Sequence, residues 1–302
     1  MTTQTQTLIE PQIPTPFMEF ITHFKSNRGA LIGFFIILFI FLAAVLADFY
    51  PHSPTEVFTN DAGNVLKLPP FFMEGGSLAF PFGTDPTGRD LLSRILHGAR
   101  ISLYLGMLAV TLSLLIGVTL GLVAGYAGGF IETVIMRLVD IMMSIPAIIL
   151  AMAIMAILDQ RSLNNTATAI AIASVPAYIR ITRASVLSEK TKDYIMASRV
   201  AGAGHLRLMG KAILPNCWAP IIVQATMGFS HAIIEAAALG FLGFGVSPPN
   251  PEWGTMLAEN RPEMMTQWWA VTIPGLAIFI TVMAFNLMGD GLRDALDPKM
   301  KS

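Results

Sequence analysis

The sequence predicts an all-α polytopic membrane protein with six transmembrane helices. Hydrophobic residues make up 54% of the 302 residues and charged residues only 13%, and the mean hydropathy is +0.62. Soluble domains carry about 25% charged residues, so lipid is expected to solvate much of this chain. Long uncharged runs recur along the sequence, and basic residues collect in alternate loops.

Six apolar runs define the predicted spans. A hydrocarbon core of about 30 Å requires roughly 20 apolar residues in a helix, and a helix satisfies its own backbone hydrogen bonds. The third run contains one charge, Asp140, and the others contain none. The runs cover residues 29–47, 101–131, 138–158, 162–179, 212–234 and 267–289.

The first run is longer than the apolar core of a signal peptide, which is about 7–15 residues, so an uncut first helix is predicted. Lys25 and Arg28 precede it and place the N-terminus in the cytoplasm. Six spans then return the C-terminus to the cytoplasm. The expected regions are a cytoplasmic tail (1–28), a first transmembrane helix (29–49), a periplasmic segment (50–99), a core of five transmembrane helices (100–291) and a cytoplasmic tail (292–302).

Loop charges agree with this orientation. Residues 183–216 hold six basic and two acidic residues, whereas the outer loop 247–266 holds one basic and three acidic residues. Arg89, Arg94 and Arg100 are the exception, because they crowd the predicted outer side of the second span. The Pro- and Gly-rich stretch 51–96 is expected to form a cap on the spans, and 247–266 part of an outer rim.

One cytoplasmic segment, residues 197–216 (ASRVAGAGHLRLMGKAILPN), is basic and glycine-hinged between apolar runs. A short helix is predicted over residues 190–201, because this stretch has no Gly or Pro and contains good helix formers. Gly202 and Gly204 allow a reversal, and Pro215 is expected to end a second short helix. The segment is either an ordinary solvated loop or a rigid element that docks a soluble partner.

Several chemistries find no support in the sequence. The stretch 204–211, GHLRLMGK, has five residues between its glycines and Ala212 after its lysine, so it is no phosphate-binding loop. Ser230 and His231 are adjacent on a predicted helix and point in different directions, so they form a poor catalytic dyad. No HExxH or GxSxG motif is present, and Cys217 is the single cysteine. The chain is predicted not to be an enzyme, and its net charge of -1 indicates no nucleic-acid partner.

The segment resembles the coupling loop of ABC-importer permeases, whose pattern is E-A-A, three residues, G, nine residues, I, one residue, L-P. Three further stretches, FGTDPTGRDLLSRILHGARISL (82–103), ALGFLGFGVSPPNPEWGTML (238–257) and NLMGDGLRDALDPK (286–299), resemble the peptide/nickel subfamily. The most similar members are the "C" permease subunits of bacterial dipeptide importers. The loop pattern falls on Met196, Ala197, Ser198, Gly202, Ala212, Leu214 and Pro215, with the Glu, the second Ala and the Ile replaced.

The resemblance implies a type-1 importer permease fold and a division of labour. Such a subunit pairs with a paralogous "B" permease, two cytoplasmic ATPases and a periplasmic peptide-binding protein. ATP and Mg²⁺ bind the ATPases, and this chain binds no cofactor or metal. The coupling loop would be about 187–216, with Asp193 to Gly202 as the coupling helix and Ala197 and Ser198 at close-packed positions.

The implied function is the ATP-driven movement of di- or short peptides across the bacterial inner membrane. Nickel, haem or antimicrobial peptides are alternative substrates within the same architecture. A membrane scaffold without transport activity is the alternative from another class.

Polar groups within the spans suggest two pairings. Asp140 follows Arg137 by three residues and is expected to pair with it near the cytoplasmic end of span three. Glu235 is expected at the outer end of span five, where it lines an outer vestibule or marks the interface. His231 lies one turn inward on the same face, so a hydrogen-bonded pair with Glu235 on the translocation path is expected.

Small residues and prolines also recur in the spans. Ser113, Gly117, Gly121, Gly125 and Gly129 form one smooth face that packs either within this subunit or against a partner. Pro146, Pro176 and Pro274 interrupt spans three, four and six. Trp253, Trp268 and Trp269 fit an interfacial aromatic belt.

Overall fold

The computed structural model describes residues 16–296, which form helices joined by irregular segments. No strand is assigned there, and residues 57–90 contribute isolated β-bridges. The predicted all-α class is confirmed. The helices are α1 (Pro16–Ser26), α2 (Arg28–Val45), α3 (Leu91–Ala127), α4 (Gly129–Met143), α5 (Ala147–Leu158), α6 (Leu163–Glu189), α7 (Asp193–Val200), α8 (His205–Arg207), α9 (Trp218–Phe241), α10 (Trp253–Asn260) and α11 (Trp268–Leu296).

Five helical segments of the described chain are long and apolar enough to cross a membrane. The expected third span, 138–158, is not one helix, because α4 and α5 meet at a bend of 94°. Six spans are reached when this bent pair counts as one. The five continuous segments are Arg28–Phe49, Leu91–Ala127, Leu163–Glu189, His205–Phe241 and Trp268–Leu296.

Backbone chemistry explains both ends of α4. Gly128 and Gly129 have φ of 68° and 55°, a left-handed region that ends α3 at Ala127 and divides the apolar run 101–131. Pro146 lies at the break between α4 and α5, where its missing N–H and its ring oppose helix continuation. Pro176 and Pro274, in contrast, lie inside the continuous helices α6 and α11.

The small-residue face of α3 packs against α6 within this chain. The Ser113 hydroxyl donates to the carbonyl of Ala171 at 3.0 Å. A Cβ on Gly121 would lie 2.7 Å from the carbonyl oxygen of Ile179, so only glycine permits this approach. Gly129 is not part of the face, because it begins α4 and a Cβ there would meet no atom within 4 Å.

Two ion pairs join α4 to α6. Asp140 accepts a hydrogen bond from Arg180 at 2.8 Å, and Glu132 pairs with Arg183. The expected intrahelical pair of Asp140 with Arg137 is therefore wrong. The arginine of the neighbouring helix approaches Asp140 instead, and that tertiary contact cannot be read from spacing along one helix.

A buried ion cluster fastens the segment before α3 to the loop around α10. Arg89 contacts Asp85 at 2.7 Å and Glu259 at 3.0 Å, and Arg94 contacts the same Glu259 oxygen at 2.6 Å. Arg94 and Asp85 are fully buried. Arg100 pairs with Asp48 at 2.8 Å. The arginines that crowd the start of the second span are therefore all paired with carboxylates.

Two of the three belt tryptophans lie inside the protein. Trp253 is 2% exposed and donates to the carbonyl of Ile95 at 3.1 Å. Trp269 is buried and donates to the carbonyl of Thr84 at 3.2 Å. The aromatic-belt interpretation is wrong for these two residues, since their indole N–H groups bind backbone rather than a membrane surface. Trp268 is exposed.

Candidate coupling element and membrane cavity

A short helix, α7, lies where the coupling helix is expected, and an apolar anchor holds its inner face. Ile195 is 0% exposed and packs in one cluster with Val186 of α6 and Ile213. Asp193 lies in the first turn of α7 and Arg199 in the last, which complements the helix dipole. The cluster also contains Val118, Leu122, Cys217 and Ile221.

Polar contacts fix α7 to the end of α6 and to the turn that precedes α9. The largely buried Glu189 forms an ion pair with Lys192 at 2.7 Å. It also accepts a hydrogen bond from the Tyr194 hydroxyl. The Asn216 amide donates to the same hydroxyl at 3.0 Å. Burial, followed by the hydrogen bond to Glu189, raises the pKa of Tyr194 to about 12, so its hydroxyl stays protonated. These contacts fix the position of α7 against the bundle, and such fixed geometry favours the docking element over an ordinary solvated loop.

The motif residues lie on and beside this helix. Met196 and Ala197 are exposed on α7, and Ser198 is half-buried with its hydroxyl donating to the carbonyl of Tyr194 at 2.8 Å. Gly202 has φ of 84°, so the chain reverses where only glycine is unstrained. α7 ends at Val200, two residues before the expected end at Gly202.

The second half of the element differs from the prediction at Pro215. The helix does not end there: α8 continues as a π-helix over Leu208–Ile213 and a 3₁₀ turn over Leu214–Cys217, and then as α9. A π turn and a 3₁₀ turn change the hydrogen-bond pattern around a proline, which lets the helix axis continue. Leu214 is half-buried and Pro215 exposed in this turn.

Sequence reasoning missed two apolar residues that dominate the outer face of this element. Val200 is 89% exposed and Leu206 is 86% exposed, on either side of the Gly202 turn. Met196 lies one turn before Val200 on the same face of α7 and is 51% exposed. The signal was available, because large aliphatic residues stand out in a segment otherwise rich in Arg, Lys, Gly and Ala. We call Met196, Val200 and Leu206 the apolar tip.

His231 and Glu235 line a second feature, a cavity of about 310 Å³ between the α4–α5 bend, α6 and α9. The expected hydrogen bond between them is not formed, and Glu235 Oε2 is buried without a hydrogen-bond partner among the described residues. His231 is exposed and Glu235 half-buried. The remaining lining residues are Met142, Met143, Ile145, Pro146, Ala147, Ala173, Ser174, Pro176, Ala177, Tyr178, Gln224 and Gly228.

A bundle of apolar helices with an open internal cavity and a rigid polar element at one end is the architecture of a membrane transport subunit. The chain belongs to the family described as binding-protein-dependent transport system inner membrane component, whose model matches residues 117–302. A second model, the N-terminal TM domain of oligopeptide transport permease C, matches residues 15–70. The resemblance to ABC-importer permeases is confirmed, and the family is a transport component rather than a catalyst.

Curated relatives and solved structures agree with this assignment. The chain is 54% identical to the di/tripeptide transport system permease protein DppC of Pseudomonas aeruginosa UCBPP-PA14, over 96% of this chain and 94% of the relative. It is 51% identical to the dipeptide transport system permease protein DppC of Escherichia coli K12, over 99% of this chain and 98% of that relative. A structure of the MetNI methionine ABC transporter in inward-facing conformations matches with a TM-score of 0.57 at 18% identity, covering 68% of this chain and 96% of that chain, which supports the fold.

Proposed function

We propose that this chain is a permease subunit that moves di- and short peptides across the bacterial inner membrane. Support comes from relatives named as dipeptide and di/tripeptide permeases, which align over nearly their whole lengths at 51–54% identity. The family description makes transport dependent on a binding protein. Both termini would be cytoplasmic, which puts the basic segment 183–216 inside and the ion cluster of Arg89, Arg94 and Glu259 outside.

The proposed complex contains this chain, a paralogous "B" permease, two cytoplasmic ATPases that bind ATP and Mg²⁺, and a periplasmic peptide-binding protein. Each partner has a candidate surface on this chain. The apolar tip would meet an ATPase, and the cap with the loop 247–266 would face the binding protein. The cavity that contains His231 and Glu235 would form part of the translocation path, closed by the second permease.

The observation that carries the coupling role is the apolar tip on a fixed base. Ile195 and the contacts of Glu189 hold α7 to the bundle, while Val200 and Leu206 project into solvent. Full burial of one large aliphatic side chain contributes about 1.5–3 kcal/mol. Burial of both side chains in a partner groove would therefore contribute about 3–6 kcal/mol toward holding an ATPase against the loop 187–216.

The test replaces both tip residues in the assembled importer. The double variant Val200→Asp with Leu206→Asp is expected to lose co-purifying ATPase and to lower ATP-dependent peptide uptake at least about tenfold, because two charges would enter an apolar interface. Met265→Asp is the matched control for ATPase retention, since Met265 is also 89% exposed but lies in the outer loop, away from the proposed ATPase surface. Normal ATPase retention and uptake in the double variant would contradict the proposed coupling surface.

A further inference from the structure

Two polar groups beside the membrane cavity lack hydrogen-bond partners among the described residues. Tyr178 is 1% exposed and its hydroxyl forms no hydrogen bond within the described chain, and the same holds for Glu235 Oε2. An unsatisfied buried polar group costs about 1–3 kcal/mol. Both residues line the cavity of about 310 Å³. Both side chains therefore border a space that a polar ligand can enter. Their unpaired oxygens are covered by protein in this conformation, so each side chain must turn toward the cavity to reach a ligand.

The polar residues of α9 follow one face of the helix along this cavity. Gln224, Gly228, His231 and Glu235 recur at spacings of four, three and four residues and all line it. At 1.5 Å per residue they extend over about 16 Å, roughly half of a 30 Å hydrocarbon core. Gly228 makes room for α6, because a Cβ there would clash with the Tyr178 hydroxyl.

The carboxylate and the hydrogen-bond donors that line the cavity lie at different levels along α9. Glu235 supplies a carboxylate at one end, and hydrogen-bond donors follow: the imidazole of His231, the Tyr178 hydroxyl at the level of Gly228, and the Gln224 amide. Charged side chains inside a membrane are costly, and they pair with one another or mark ligand pathways. Glu235 has no such pair here, since His231 does not bond to it.

Resting on the proposed function, we propose that Glu235 transiently binds the terminal ammonium group of a peptide in transit, while His231 and Tyr178 donate hydrogen bonds to its carboxylate. Two extended residues span at most about 7 Å. The side chains of Glu235 and His231, four residues apart, begin about 5–6 Å apart, and the level of Gly228 lies about 10 Å from that of Glu235. A zwitterion of two or three residues therefore fits between the carboxylate and the donors.

The remaining wall suits a substrate of variable side chains. Met142 and Met143 contribute flexible thioethers, and Ile145 and Ala173 contribute apolar surface. Methionine adapts to differently shaped apolar groups, so this wall distinguishes little among peptide side chains. Recognition in the membrane would accordingly rest on the two charged termini that every unmodified peptide shares.

The test measures peptide moved per ATP hydrolysed. The complete importer, with its binding protein, is reconstituted in liposomes, and uptake of a radiolabelled dipeptide is measured at saturating loaded binding protein. Saturation matters because the binding protein also selects peptides. Glu235→Gln keeps the shape and removes the charge, and it is expected to lower the uptake per ATP about tenfold. Glu235→Asp should restore part of the loss, and Tyr178→Phe should lower the ratio about threefold.

Controls separate this inference from a structural role and from the proposed function. Asp159→Asn removes an exposed carboxylate in the short loop between α5 and α6, outside every proposed partner surface, and should leave the ratio unchanged. A wild-type ratio in Glu235→Gln would overturn the inference, as would a parallel loss of uptake, ATPase activity and co-purifying subunits, which indicates an assembly role. If the wild-type complex hydrolyses ATP yet imports no peptide, the proposed function itself fails, and this inference with it.

Discussion

The buried ion cluster on the outer side gives the sharpest stability prediction. Glu259 Oε2 contacts both Arg89, at 3.0 Å, and Arg94, at 2.6 Å. Without Glu259, the fully buried Arg94 would keep only Asp85 at 3.6 Å and the carbonyl of Pro54 at 3.4 Å. Glu259→Ala therefore leaves the charge of Arg94 buried away from water without a close carboxylate partner.

The expected cost follows from that geometry. Removal of one partner of a buried ion pair destabilises a protein by about 3–5 kcal/mol, because the other charge stays buried. At roughly 2–4 °C per kcal/mol, the thermal midpoint of the purified protein should fall by about 10 °C. The midpoint is measured in lipid nanodiscs. Glu263→Ala is the control, because Glu263 is exposed and 3.8 Å from the exposed Lys67, and such surface pairs contribute about 0–1 kcal/mol.

A double-mutant cycle tests the cause of this loss. Arg94→Met removes the buried charge while it keeps an unbranched side chain. Combined with Glu259→Ala, it should be less destabilising than the sum of the two single variants, because no charge is left unpaired at position 94. Equal midpoints for Glu259→Ala and Glu263→Ala, or strictly additive effects in the cycle, would refute the reasoning.

Three further predictions concern packing, orientation and the turn. Gly117→Val should severely lower the yield of folded protein in size-exclusion chromatography, because the new Cβ would clash with Tyr178 of α6. Gly275→Ala is the control and should leave the yield unchanged, because its Cβ would lie 4.0 Å from the nearest atom, on Leu257. Ser198→Cys should react with a membrane-impermeant maleimide in inside-out vesicles and not in intact cells; labelling in intact cells alone would invert the proposed topology. Gly202→Val should destabilise the coupling element by about 1–2 kcal/mol, since φ is 84° there, and faster proteolysis after α7 is the readout.

The fold class and the position of the short helix α7 were predictable from the sequence, because length, apolarity and motif spacing are local properties. The break at Pro146 was visible as a proline, yet the 94° angle depends on how α4 and α5 pack against their neighbours. Asp140 shows the same limit, since its partner Arg180 lies on another helix. The Trp253 and Trp269 indoles were misassigned because composition does not distinguish a membrane surface from a buried carbonyl.

The candidate site divides in a similar way. Gly202 and the α7 residues were found from a motif, whereas the anchor of α7 through Glu189 and Tyr194 depends on contacts between elements. Glu235 was recognised as an unusual charge within a span. Its missing partner, and the empty space shared with Tyr178, are properties of three-dimensional packing that no spacing rule contains.

The unbroken helical path from His205 to Phe241 has a mechanical consequence. Leu206 and Glu235 lie on one continuous helix, with about 30 residues and roughly 45 Å of axial rise between them. A displacement imposed at the lower end reaches the cavity wall without crossing a loop. The π and 3₁₀ turns before Trp218 are the positions where this helix would bend. Stiffening them would change how much of a displacement at Leu206 reaches Glu235.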